Sequence, residues 1–237
     1  MDTSVRGPMD IDVKALHDSE LEVVGRLVDA SNATLLCNLA GSTLQVIYKP
    51  ILGEKPLWDF PDGNLAHREV ASYYISQIAG FDLVPLTILR DGPYGVGSVQ
   101  LWVDVPDEFD PVTFGQSRDP QLATMAVFDA VVNNTDRKYG HLLQDANGKL
   151  YGCDHGVTLH SESKLRTVLW QFAGEQIPPA LMNQLERLTS HLDDGYLKTL
   201  ITDEEIAALY QRISALIEIG CFPYPSSDWP AVPWPPF

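Results

Sequence analysis

Cysteine, basic residues and long apolar runs are all scarce in this chain of 237 residues. Its three cysteines, Cys37, Cys153 and Cys221, are far apart and form no C-x-x-C pair, so neither a disulfide framework nor a thiolate zinc site is suggested. Lys and Arg number 16 against 32 Asp and Glu, a net charge of -16. Binding nucleic acid needs clustered cations to neutralise phosphates, so nucleic acid is not an expected partner. The same charge disfavours docking on anionic membranes. No stretch approaches the length of a membrane-spanning apolar helix, and the first residues hold no apolar run of the signal-peptide kind. The expectation is a reducing, cytoplasmic setting without stable membrane insertion. Motifs are absent too: no G-x-S-x-G, H-E-x-x-H, Walker A or G-x-G-x-x-G occurs.

What is present suits a core of ordinary size, with 45% hydrophobic and 20% charged residues, enough for one large domain or two small ones. Residues 1–13 are polar and read as a loose arm. Three β-branched and aromatic runs follow, over 21–28, 34–40 and 43–49, and predict an antiparallel meander. Residues 65–79 predict a helix that Gly80 stops. Residues 83–89 read as a short extended run, and 98–103 as a strand ending at Asp104. Residues 104–119 show no period, and the boundary between a first lobe (14–104) and a second (105–237) is placed there. Asp119-Pro120 then opens a helix running to about Asn133, apolar all round and therefore central. Asn147-Gly148 marks a hairpin. Helices are expected over 178–192 and 203–219, the latter with a Thr202/Glu205 capping box and Gly220 as its stop. The Pro- and Trp-rich tail from Phe222 is expected to pack on its own domain.

Four features in this order carry chemistry. Lys49 ends the third strand, and Glu69 follows twenty residues later on a helix. A lysine so placed can meet nucleotide phosphates while the glutamate fixes it. The connection around Ser31 and Asn32 lies where a phosphate-covering loop would be, with hydroxyl, amide and backbone donors to offer. Asp136 and Asp154 lie at the two ends of a loop-hairpin-loop and can converge. Phosphoryl transfer needs such a pair, one carboxylate to orient the attacking hydroxyl and one to hold a metal. Gly156 is expected to give the backbone a sharp turn after Asp154. Cys153, Asp154, His155 and His160 could also be read as a metal cluster, but alternation along a strand would splay their side chains.

These residues, with Val46–Pro50, Arg68–Tyr73, Gly97–Val103, Phe128–Arg137 and Cys153–Gly156, resemble the phosphatidylinositol 3-/4-kinase superfamily. The chain is most similar there to type II phosphatidylinositol 4-kinases and their actinobacterial relatives, over roughly residues 20–175. The resemblance implies an α+β, two-lobed, protein-kinase-like fold with an antiparallel β first lobe and a mostly helical second lobe. It implies ATP with Mg²⁺ or Mn²⁺, and an acceptor that is a protein or a small soluble hydroxyl compound rather than a lipid. Lys49 and Glu69 would serve the phosphates. Leu101, Trp102 and Val103 would line the adenine slot. Asp136 would be the catalytic aspartate, Asp154 a metal ligand and Asp129 a brace. The family's second metal-ligating Asn is here His141, whose imidazole suits Mn²⁺ or Zn²⁺ better than Mg²⁺. His155 stands where the metal-binding triplet usually has Phe. An active kinase and a nucleotide-binding module without transfer both remain open on these residues. Residues 156–175 occupy the place of an activation segment, where Lys164 and Arg166 could meet an anionic substrate.

Overall fold

The computed structural model describes residues 13–27, 32–61 and 63–237. The expected arm therefore lies outside the described residues except for Val13, which opens a short helix, α1 (Val13–Asp18).

Five strands form one antiparallel sheet in the order β1-β2-β3-β5-β4, from β1 (Leu21–Arg26), β2 (Leu35–Leu39), β3 (Gln45–Pro50), β4 (Thr87–Gly92) and β5 (Gly95–Leu101). The first three make the expected meander. Side-chain alternation in β3 sends Val46 and Tyr48 into a small core with Leu16, Cys37 and Val99, while Ile47 and Lys49 turn to the opposite face. The extended run expected over 83–89 enters the sheet only at Thr87. Its first half is held elsewhere, because the Leu83 and Val84 N–H groups both donate to Ser76 Oγ.

Helix α2 (Leu65–Ala79) is well capped. Asn64 Oδ1 accepts from the His67 N–H, and the Glu54 carboxylate accepts from the Leu65 and Ala66 N–H groups. These satisfy three of the first-turn donors, and Gly80 closes the helix in the left-handed conformation. Val70, Ala71 and Ile75 of α2 belong to the larger core, which is centred on α4 (Pro120–Val132). The stretch read as aperiodic holds a further short helix, α3 (Pro111–Gly115), with Asp110 as its N-cap. Five residues are too few to display a period.

The hairpin β6 (Leu142–Gln144) and β7 (Leu150–Gly152) forms as expected around Asn147-Gly148. Helices α5 (Pro179–His191), α6 (Asp194–Leu197) and α7 (Asp203–Ile219) complete the helical part. The Thr202/Glu205 capping box is present, and Glu205 also meets Arg68 of α2 at 2.5 Å. The tail packs on its own domain: Ala231 O accepts from the Thr167 N–H and from Trp170 Nε1, and Pro236 O accepts from the Tyr139 N–H.

Candidate active site

A cavity of about 670 Å³ lies between the sheet and the helical part. Lys49 reaches it because β3 alternation aims the side chain off the small core. The ammonium pairs with the Glu69 carboxylate from α2 and with Asp154 Oδ1 at 2.8 Å, from the residue two beyond β7. Glu69 is itself buried, and its second oxygen accepts from the His155 N–H at 3.0 Å. One carboxylate thus ties the lysine strand to the loop that carries Asp154.

Asp154 sits at φ 59°, in the left-handed region that Asp tolerates better than most residues. The turn expected at Gly156 is present over Gly156 and Val157, and the left-handed Asp154 bends the chain before it. Gly156 serves a further need: a Cβ there would lie 3.1 Å from the Leu65 Cβ, so glycine lets this loop approach α2 closely.

The electrostatics follow from this crowding. Burial alone would lower the Lys49 pKa, but Asp154 and Glu69 outweigh it and the net shift is upward. The Lys49 ammonium holds the Asp154 carboxyl well below the usual carboxylate range. His141 Nε2 faces Asp154 Oδ2 at 3.6 Å. Burial pushes the His141 imidazole down to about 4, although Asp154 pulls the other way. Asp136 lies in the loop after α4, 3.5 Å from Lys138 Nζ, and its N–H donates to Asn134 Oδ1. Burial raises its pKa, opposed by Lys138 and reinforced by Asp154.

The cavity brings together Lys49, Leu101, Trp102, Val103, His141 and Asp154. Glu69 stands behind Lys49, and neither Asp136 nor Asn32 lines the cavity; Asn32 Oδ1 accepts instead from the Lys55 N–H. Ser31 lies outside the described residues. The Val103 N–H and C=O have no protein partner among the described residues. Lys164, considered for an anionic substrate, is buried: its ammonium lies 3.3 Å from Glu162 and 4.9 Å from the Trp229 ring centroid.

Sequence reasoning missed the hub beneath the cavity. Arg137 is fully buried. It donates through Nε and Nη2 to Asp129, through Nη1 to the Cys153 carbonyl at 3.0 Å, and through Nη2 to His155 Nε2 at 2.7 Å. A guanidinium only donates, so His155 Nε2 accepts and its proton resides on Nδ1. Burial first, and Arg137 next, keep that ring neutral by lowering its pKa well below the ordinary value. Asp129 also accepts from Asn134 Nδ2 and Thr167 Oγ1. One signal was available: Asp129 is the only charged residue in α4 and is flanked there by apolar residues, and a buried carboxylate needs a partner.

The Asp154 carboxylate fits a hard divalent cation, whereas the His141 imidazole fits Mn²⁺ better than Mg²⁺. Asp154 and His141 are cavity-lining side chains able to ligate a metal, 3.6 Å apart, and no group of three or more metal-ligating side chains exists among the described residues. Magnesium is ordinarily held by one or two carboxylates with water and substrate phosphates.

The sequence is similar to that of protein Rv2133c of Mycobacterium tuberculosis, with 40% identity over 262 residues covering 94% of each chain. No family model matches. The fold is similar to the crystal structure of the golgi casein kinase, with a TM-score of 0.53, 11% identity, and 87% of this chain and 72% of that one covered. It is also similar to the Helicobacter pylori proinflammatory kinase CtkA, with a TM-score of 0.51, 11% identity, and 86% and 95% covered. The architecture is therefore a two-lobed, kinase-like α+β fold.

Proposed function

The chain belongs to the same family as protein Rv2133c and has a kinase-like fold, and from that premise we propose that it is an ATP-dependent phosphotransferase of the phosphatidylinositol 3-/4-kinase-like type. The observation that carries this reading is the Lys49 ammonium, held between Glu69 and Asp154 at the wall of a cavity large enough for a nucleotide. On this reading residues 14–104 and 105–237 are the two lobes.

Lys49 binds the nucleotide phosphates, and Glu69 keeps its ammonium in place. In the present arrangement two carboxylates share one ammonium, so the incoming phosphates replace Asp154 as a Lys49 partner. Asp154, with His141 beside it, would hold Mg²⁺ or Mn²⁺, which would supply neutralisation of charge on the phosphates. Asp136 orients the acceptor hydroxyl. The acceptor oxygen bonds to the γ-phosphorus, the bond to the β-γ bridging oxygen breaks, ADP leaves, and the acceptor proton passes to Asp136. A carboxyl whose pKa is raised by burial is suited to take that proton. Leu101, Trp102 and Val103 hold the base, with the unpartnered Val103 backbone groups as its anchor. Asn32 would belong to the loop over the phosphates, as the sequence suggests for Ser31, which lies outside the described residues.

The net charge of -16 favours a protein or small hydroxyl acceptor over a membrane lipid, and no helix among the described residues is long and apolar enough to cross a membrane. The three free cysteines fit a cytoplasmic setting.

The second reading is a nucleotide-binding module without transfer. His141 favours it, since a neutral imidazole stands where the superfamily has an amide ligand. Incubation with γ-labelled ATP and Mg²⁺ or Mn²⁺ separates the two. The kinase reading expects labelled product or autophosphorylation, lost in Asp154→Ala. Nucleotide binding with no labelled product under either metal selects the module, and no binding at all removes both.

A further inference from the structure

Gln100 is buried on β5, one residue before the segment assigned to the base, and it lines the cavity. Its cross-strand partner on β4 is Thr87, also buried. The Thr87 hydroxyl donates to the Pro85 carbonyl at 2.7 Å. A carbonyl cannot donate, so the hydroxyl proton is committed and the Thr87 oxygen has only lone pairs left. Gln100 Nε2 donates to that oxygen at 2.8 Å. This chain fixes the orientation of the carboxamide without reference to anything in the cavity. The amine end points to Thr87, so the carbonyl end, Oε1, points away from it. No protein donor reaches Oε1 among the described residues, and Oε1 is not among the sealed polar atoms left without partners.

Turning the amide over would be costly. Oε1 would then face Thr87, whose proton would have to leave the Pro85 carbonyl to meet it, and that buried carbonyl would lose its donor.

Resting on the phosphotransferase reading, we propose that Gln100 is the base-selecting residue of the cleft: its carboxamide oxygen, oriented by Thr87, accepts from the exocyclic amino group of adenine and disfavours a 6-oxopurine. Adenine and guanine differ at that ring position in hydrogen-bonding sense, an amino donor against a carbonyl acceptor. A 6-oxopurine would set two acceptors against each other. Gln100 acts on the base directly, and Thr87 is a positioning residue behind it.

The test is equilibrium binding of three triphosphates to the full chain with Mg²⁺ or Mn²⁺: ATP, purine riboside triphosphate, which lacks the 6-substituent, and ITP, which carries the 6-oxo group. The expected order is ATP, then purine riboside triphosphate, then ITP, with ITP about tenfold to hundredfold weaker than ATP. Gln100→Met removes the acceptor, and Thr87→Val frees the amide to rotate. Each should bring the ATP-to-ITP ratio to within about threefold. The ratio is decisive because a purely structural role would weaken all three nucleotides alike. Equal binding of ATP and ITP by the wild-type chain, or an unmoved ratio in both variants, overturns the role of Gln100 alone. Failure to bind any triphosphate overturns it together with the phosphotransferase reading. Should either variant fail to fold, the three-nucleotide comparison on the wild type decides by itself.

Discussion

The Asp129–Arg137 pair and the Lys49–Asp154 pair are joined through residues 153–155, yet they differ in almost every physical respect. Asp129 and Arg137 are both 0% exposed, and the guanidinium meets a carboxylate, the Cys153 and His141 carbonyls and the His155 ring. The Asp154 side chain is 53% exposed and shares its lysine with a second carboxylate. A sealed ion pair holds its geometry because neither charge has an alternative partner. An exposed carboxylate beside an over-subscribed ammonium can exchange partners at little cost. On the phosphotransferase reading the first network serves positioning and the second ligand exchange, with Cys153–His155 joining the two.

Breaking the sealed network should have the largest effect on stability. Arg137→Ala leaves Asp129 buried and unpaired, and should cost about 3–5 kcal/mol in denaturant unfolding. A loss under about 1 kcal/mol would mean that the pair is not the anchor described. Asp136→Asn addresses the open side: turnover should fall by about 10²–10⁴-fold while ATP affinity and stability change little, checked by labelled transfer beside a binding titration. Unchanged turnover removes Asp136 from the reaction.

A subtler effect should come from His141. Its ring is held neutral down to about 4, whereas the unfolded chain takes up a proton near 6.5. Between those values the unfolded state binds more protons, so stability falls as pH falls. One such group contributes about 1.4 kcal/mol per pH unit across the window. In metal-free protein, His141→Asn should reduce the slope of stability against pH by about that amount, read from unfolding midpoints between pH 6.5 and 4. An identical slope in the variant would show that His141 is not the buried neutral ring found here. The smallest stability change is expected for Asp154→Asn, within about 1 kcal/mol, since an exposed ion pair contributes little. A large loss there would erase the distinction between the two networks.

Much of this was legible in the sequence where the signal is local. The bounds of α2 and α7 follow from caps and stops that neighbour the helices, as with Gly80, Thr202 and Gly220. The order of Lys49, Glu69 and Asp154 could be placed because each sits on or just beyond a readable element. Helices α1, α3 and α6 escaped because four to six residues carry no usable period. Arg137 and Thr87 escaped for another reason. Their roles depend on partners across a sheet or in a separate loop, and nothing next to Arg137 in the chain announces that Cys153 O and His155 converge on it. The close approach of Leu65 to Gly156 and the left-handed Asp154 escaped for the same reason, since both are set by tertiary packing.

The most direct measurement is an ATP titration of the wild-type chain and of Asp154→Asn, each with and without Mg²⁺ or Mn²⁺. If Lys49 and Asp154 line a nucleotide-metal cleft, metal should tighten wild-type binding at least about tenfold and leave the variant unaffected, since the ion is shared between Asp154 and the phosphates. Wild-type affinity that ignores metal, or no ATP binding in either protein, would contradict the account.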